Sequence, residues 1–236
     1  MSFPRISIAN KGYVFNDLAL ADVMDLTKIK PHHYEQQLSC ALSTILQDAN
    51  LPEKLTVQER YAILLKYLSF VENDLNTEIN IENYLSKNLD DFNPERISAN
   101  GISVRHLTGL EAHALEIGSE NTADWILGAM AITIGCDELS PIDTYSNLNF
   151  TGNLIQNRIE IIKSLKLERF NALMADYQYL NSQLNTLVNI SFDNGIVLNY
   201  FDGGTDDAPL RFRIRAAITG YAKQLLAISD ATDPKL

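Results

Sequence analysis

The chain has 236 residues with 19 basic and 30 acidic side chains, a formal net charge of −11, and a hydrophobic fraction of 46%. That apolar share supports a packed core and excludes a disordered chain. The negative balance argues against duplex nucleic acid and anionic membranes, both of which are bound chiefly through cationic side chains, and suits either a protein kept soluble by self-repulsion or one that docks onto basic partners.

The length allows one large domain or two small ones. Cys40 and Cys136 lie far apart and read as two buried thiols rather than a disulfide. The first fifteen residues contain no apolar h-region, so a signal peptide is not expected. The longest apolar run, Trp125–Ile134, is shorter than the roughly 20 residues that span a bilayer.

In chain order, residues 5–8 and 12–15 alternate around Asn10-Lys11-Gly12 and predict a small hairpin. Asn16 or Asp17 should cap a short helix through Met24. Pro31 suits the first turn of a longer helix reaching about Asp48, with Leu38, Ala41, Leu42 and Ile45 on one face. Leu51-Pro52 breaks it. Thr56-Val-Gln-Glu59 is a capping box opening a helix whose apolar face is Ile63, Leu64, Tyr67, Leu68 and Val71. Residues 73–100 are polar and read as loop, with a short helix near Glu82–Ser86.

Ile102–His106 reads as a strand, and Thr108-Gly-Leu-Glu111 repeats the capping box ahead of a helix stopped by Gly118. Asn121 or Thr122 caps the next helix, which Gly135 ends. That helix is apolar on nearly every side; it is either central or part of an interface, and we expect it in the core. Helices follow at about 153–165 and 167–187. Strands 188–192 and 196–201 flank Asp193-Asn194-Gly195, a strong hairpin signal because Asn-Gly accepts the positive φ of a tight turn. A third strand, Leu210–Ile214, and a final helix, Ala216–Ile228, complete the chain. The expected fold is therefore α+β and predominantly helical, with a short N-terminal hairpin and a C-terminal antiparallel hairpin. The expected boundary divides a mainly helical domain, 1–140, from a helix-plus-hairpin unit, 141–236.

No G-x-S-x-G, phosphate-binding G-x-x-x-x-G-K-[ST] or G-x-G-x-x-G pattern occurs. The histidines His32, His33, His106 and His113 lack zinc-site spacing, and there is no C-x-x-C. Adjacent His32 and His33 read as polar residues near a helix start, and His106 and His113 as surface or capping residues. Carboxylates beside Cys136 would raise its thiol pKa and blunt it as a nucleophile. The acidic stretches starting at Asp74 and Asp202 fail as calcium loops, since their sixth and twelfth positions hold Ile79 and Leu85, and Asp207 and Arg213. No cofactor and no metal are expected.

Arg211, Arg213 and Arg215 alternate with Phe212 and Ile214, which on a strand puts the arginines on one face. Two readings stand: a wet face paired with Asp202, Asp206 and Asp207, or a stripe that docks on an acidic partner. Tyr61, Tyr177 and Tyr179 are further candidate contact residues, since tyrosine and arginine are enriched at interface hot spots. Tyr177 and Tyr179 point to different sides of a helix, so at least one belongs to the core.

Leu55–Arg60 with the leucine-rich run that follows, the stretch Ile102–Glu111, and Leu167–Asp176 leading to the hairpin 188–201 together resemble the baseplate hub proteins and hub assembly chaperones of T-even-type phages. The similarity lies in the order and texture of residues 50–215. It departs from that family in lacking a C-x-x-C pair at 72–100 or 188–205. The resemblance implies a non-enzymatic role in a contractile tail, as baseplate component or hub chaperone, with other tail proteins as partners. The place of work would be the host cytoplasm during assembly, or the virion. The rival classes are a regulatory module binding a small ligand and an enzyme with an unmotifed carboxylate–histidine site using His106 and His113.

Overall fold

The structure is a computed structural model, and it describes residues 4–30, 32–70, 84, 96–142, 152–184, 190–192 and 196–198. The fold is α+β and predominantly helical, with an antiparallel hairpin near the N-terminus and another at 190–198.

Strands β1 (Ile6–Ile8) and β2 (Lys11–Tyr13) pair with Ile8 opposite Lys11. Ala9 and Asn10 make the turn, both at positive φ (52° and 60°). Helix α1 covers Leu20–Lys28, later than expected. Asn16 cannot cap it, because its backbone N–H and side-chain amide both donate to the Ile45 carbonyl, at 2.9 and 3.2 Å. Asp22 instead accepts from the Ala19 N–H at 2.8 Å. Helix α2 is Tyr34–Leu46 and ends on Gln47 in the left-handed region. The short α3, Leu51–Lys54, carries Pro52 in its first turn, where a missing N–H does no harm. Helix α4, Val57–Phe70, is buried nearly all round from Val57 to Leu65 rather than along one face.

Strand β3, Arg96–Ala99, falls where a loop was expected, and pairs with β4, Ile102–Arg105. Their turn is Asn100-Gly101, with φ of 54° and 76°, the same Asn-Gly chemistry that marks tight hairpins. Helix α5 is Gly109–Gly118 and helix α6 is Thr122–Thr133, capped by Asn121. Strand β5, Ile134–Gly135, adds to β4. Gly135 does not stop α6, which closes on an extended Ile134. It is small because a Cβ there would collide with Pro141 and with the Ser103 hydroxyl. Helices α7, Gly152–Ser164, and α8, Leu167–Leu184, pack across the sheet and α6. Strands β6, Ile190–Phe192, and β7, Ile196–Leu198, close the described chain.

Two apolar clusters result. One gathers the first hairpin, α1, α2, α4, α5 and Ile196; the other gathers β4, α6, α7 and α8. Helix α6 belongs to both: Trp125, Ala129 and Ile132 enter the first, Met130 and Ala131 the second. That double burial explains its all-round apolar sequence and places it in the core. The second cluster draws on both sides of residue 140, with Ile102 and Ile134 against Leu173, Tyr177 and Leu180. Among the described residues no helix is long and apolar enough to cross a membrane.

Candidate functional site

Two features stand out, a buried ionic clasp and an open groove. The clasp begins where Leu55-Thr56 and Leu107-Thr108 meet as an antiparallel bridge. The Val57 N–H donates to the Leu107 carbonyl and the Gly109 N–H to the Leu55 carbonyl, each at 2.8 Å. Helices α4 and α5 diverge from this bridge, and each starts with Leu-Thr-x-x-Glu. Glu59 accepts from the Thr56 N–H at 2.8 Å, and the Glu59 N–H returns a bond to the Thr56 hydroxyl at 3.2 Å. Glu111 accepts from the Thr108 N–H at 2.9 Å and its own N–H reaches the Thr108 hydroxyl at 3.3 Å. Each carboxylate then takes a cation from a neighbouring element. Lys11 of β2 donates to Glu59 at 2.9 Å; Arg105 of β4 grips Glu111 through two nitrogens at 2.7 and 2.9 Å.

Arg60 lies beside this bridge, fully buried. Its Nη2 donates to the Glu35 carbonyl at 2.9 Å and the Ser39 hydroxyl at 3.0 Å, and sits 3.3 Å from the Glu35 carboxylate. Tyr61 donates its hydroxyl to the same carboxylate at 2.7 Å. Glycine is required at 109, because a Cβ would collide with Arg60 Nη1 and the Pro52 carbonyl. Glu116, on the last turn of α5, accepts from the N–H groups of Glu35 (3.0 and 3.1 Å) and Gln36 (3.3 Å). It thereby caps α2, whose own N-cap residue His33 makes no side-chain cap.

Burial sets the protonation in this corner. It pushes the Glu116 carboxyl up to about 7, against the pull of the α2 N–H groups, and lifts the Tyr61 phenol well above its usual value. Burial and the Arg60 cation hold His113 below the ordinary histidine range. Such a cluster holds five elements, β2, β4, α2, α4 and α5, in register. Its carboxylates are engaged with helix N-termini and cations. The thiols are likewise blunted. Burial, then Asp25 and Asp22, raises half-buried Cys40; burial and a hydrogen bond to Glu138 raise Cys136. Glu138 is itself held near 2 by a bidentate Arg169, at 2.8 Å for both bonds.

The groove is a half-open cavity of about 430 Å³ between α5, α6 and α7. Leu110, Ala114 and Gly118 form one wall, and Ile155, Ile159 and Lys163 the other. Leu127 and Gly128 form the floor. Position 128 is glycine because Leu115 fills the space a Cβ would take. Neither His106 nor His113 lines it, and its one carboxylate is Asp124. No group of three or more metal-ligating side chains exists among the described residues.

The sequence-derived contact residues fare differently. Arg211, Arg213 and Arg215 lie outside the described residues, as do the acidic stretches at 74–83 and 202–213. Tyr61 belongs to the clasp and is 3% exposed, so its side chain is no surface contact. Tyr177 is buried in the second core and pushed up to about 12 by that burial. Tyr179, two residues on, is 60% exposed and remains a surface residue. The groove was not foreseen; its only signal is the small residues Ala114 and Gly118 spaced by four, with Gly128 inside an apolar helix. No family model, no curated protein and no solved structure matches this chain.

Proposed function

We propose that this protein works by contact and without catalysis, as a baseplate component or hub assembly chaperone of a contractile phage tail. The observation that carries the reading is the state of its ionisable groups. The carboxylates of the clasp cap helices or pair with cations, while among the described residues the open groove offers a largely apolar surface with no hydrogen-bonded nucleophile–base pair. The resemblance adds the tail context. Two of the stretches that carry it, Leu55–Arg60 and Ile102–Glu111, are the two halves of the clasp. The strongly negative chain suits a basic partner surface.

The test is co-expression with the products of neighbouring tail genes, followed by affinity capture. Recovery of a hub or baseplate subunit in stoichiometric amount supports the reading; a monomer that engages none of them contradicts it. Mass spectrometry of purified particles separates a virion component from a departing chaperone. The groove volume also falls within the range of roughly 300–1,000 Å³ typical of small-molecule sites. A regulatory binding module is therefore the second reading, and a ligand-induced rise in melting temperature against a metabolite library would favour it.

A further inference from the structure

We infer that the α5–α6–α7 groove receives one short amphipathic helix of another protein, apolar along a single stripe and basic along its flanks. The inference rests on the contact function proposed above and names the partner's chemistry. Both walls are rows of residues four apart: Leu110, Ala114 and Gly118 on α5; Ile155, Ile159 and Lys163 on α7. Rows at that spacing are the ridges that helices use to pack into one another's grooves. Eight residues at 1.5 Å rise make each wall about 12 Å long, a little over two helical turns. The small side chains of Ala114, Gly118 and Ser119 leave the depth a helix needs to approach closely. Among the described residues no fourth helix fills the slot that these three present.

Charge settles the flanks. Asp124 lies in the lining, exposed Glu120 adjoins it by donating its N–H to the Asp124 carboxylate, and exposed Glu160 accepts from the lining Gln156 at 2.9 Å. Lys163 is the cation of the rim and is already 3.6 Å from Glu160. Three acids against one base leave a rim of −2, matching the sign of the whole chain. A helix with lysine or arginine beside its apolar stripe complements that rim, and one with acidic flanks is repelled.

Gly118 provides a clean probe. A Cβ built there meets nothing within 4 Å, and its φ is ordinary, so a side chain enters the groove without disturbing the fold. Two labelled 15-residue helical peptides share a leucine–alanine stripe and differ in lysine or glutamate flanks; fluorescence anisotropy measures their binding to the full chain. The lysine peptide should bind wild type at least tenfold more tightly than the glutamate peptide, and less tightly as salt is raised. Gly118→Trp should weaken it at least tenfold while the melting temperature stays unchanged. Ala114→Arg, at an exposed position, gives an independent block should the tryptophan perturb α5. Failure of the lysine peptide to bind, equal binding of both peptides, or undiminished binding to both variants overturns the inference. So does self-association of the chain that Gly118→Trp abolishes, which would give the slot to a second copy. If a tail partner is captured by wild type and equally by Gly118→Trp, the groove assignment fails while the contact function stands. If no tail partner is captured, the contact function fails whatever the peptides do.

Discussion

The clasp and the α6–α8 layer meet the same difficulty by opposite means. Both bury helix ends, which carry backbone groups with no partner inside the helix. In the clasp the buried ends are N-termini, and each receives a carboxylate: Glu59 on α4, Glu111 on α5, Glu116 on α2. In the second region the buried end is the C-terminus of α6, and it receives a cation. Arg158 of α7 donates to the carbonyls of Ala131, Ile134 and Ser140. Each sign matches the helix macrodipole at that end. The clasp sets its carboxylates against Lys11, Arg60 and Arg105 as well as helix N-termini, while the α6 end is closed by Arg158 beside the second apolar cluster. The first should therefore be sensitive to charge and pH, the second to side-chain volume.

The largest effects should come from breaking the clasp. Arg60→Ala leaves Glu35 charged and buried, a loss of about 3–5 kcal/mol. Gly109→Ala forces a Cβ into Arg60 and the Pro52 carbonyl and should rank with it. Urea denaturation measures both, and a loss under 1 kcal/mol for either would detach Arg60 from the architecture. Next, in the second region, Arg158→Met strands three carbonyls and should cost about 2–3 kcal/mol. If Arg158→Met melts like wild type, the cap assigned to α6 is wrong.

A smaller effect separates the regions by pH. The Glu116 carboxyl rises from 4.5 unfolded to about 7 folded. The folded chain therefore holds this proton more tightly. The stability it contributes is complete below about 4.5 and is lost as pH rises through about 7. Glu116→Gln should remove this slope, recovering about 1–2 kcal/mol of the loss between pH 5 and 8 once solvent screening is allowed for. An unchanged slope in chemical denaturation at the two pH values would contradict it. A further contrast is local to α8. Tyr179→Ala should change stability by less than about 0.5 kcal/mol, whereas Tyr177→Ala, two residues away, should cost about 3–5 kcal/mol.

What could be read from the chain follows the range of the interaction. Both capping boxes were legible because their partners are three residues apart, and so was α6 as a core helix, since apolarity all round leaves no wet face. The 190–198 hairpin was legible from Asn194-Gly195. The same dipeptide at Asn100-Gly101 marks the β3–β4 turn, but the polar stretch before it hid the strand. Glu116 capping a helix 80 residues away, and Arg60 reaching back to Glu35, leave no local trace. Tyr61 carried the composition of a hot spot and the environment of a core residue, and only tertiary packing separates the two. The groove is a property of three helices together, so no single segment announces it.

On the proposed contact function, the buried charges serve architecture and binding lies at the surface. The most direct measurement is on the double variant Glu35→Leu/Arg60→Met, which removes the ion pair without leaving either charge alone. Well-packed apolar replacements of buried ion pairs are often neutral or stabilising. The double variant should therefore lose less stability than Arg60→Ala alone, about 1–3 kcal/mol for the Tyr61 and Ser39 hydroxyls that lose their partners, and on the proposed function should capture the same partner with unchanged affinity. A double variant that stays folded, yet no longer binds its partner, would contradict the account and move the function into the clasp.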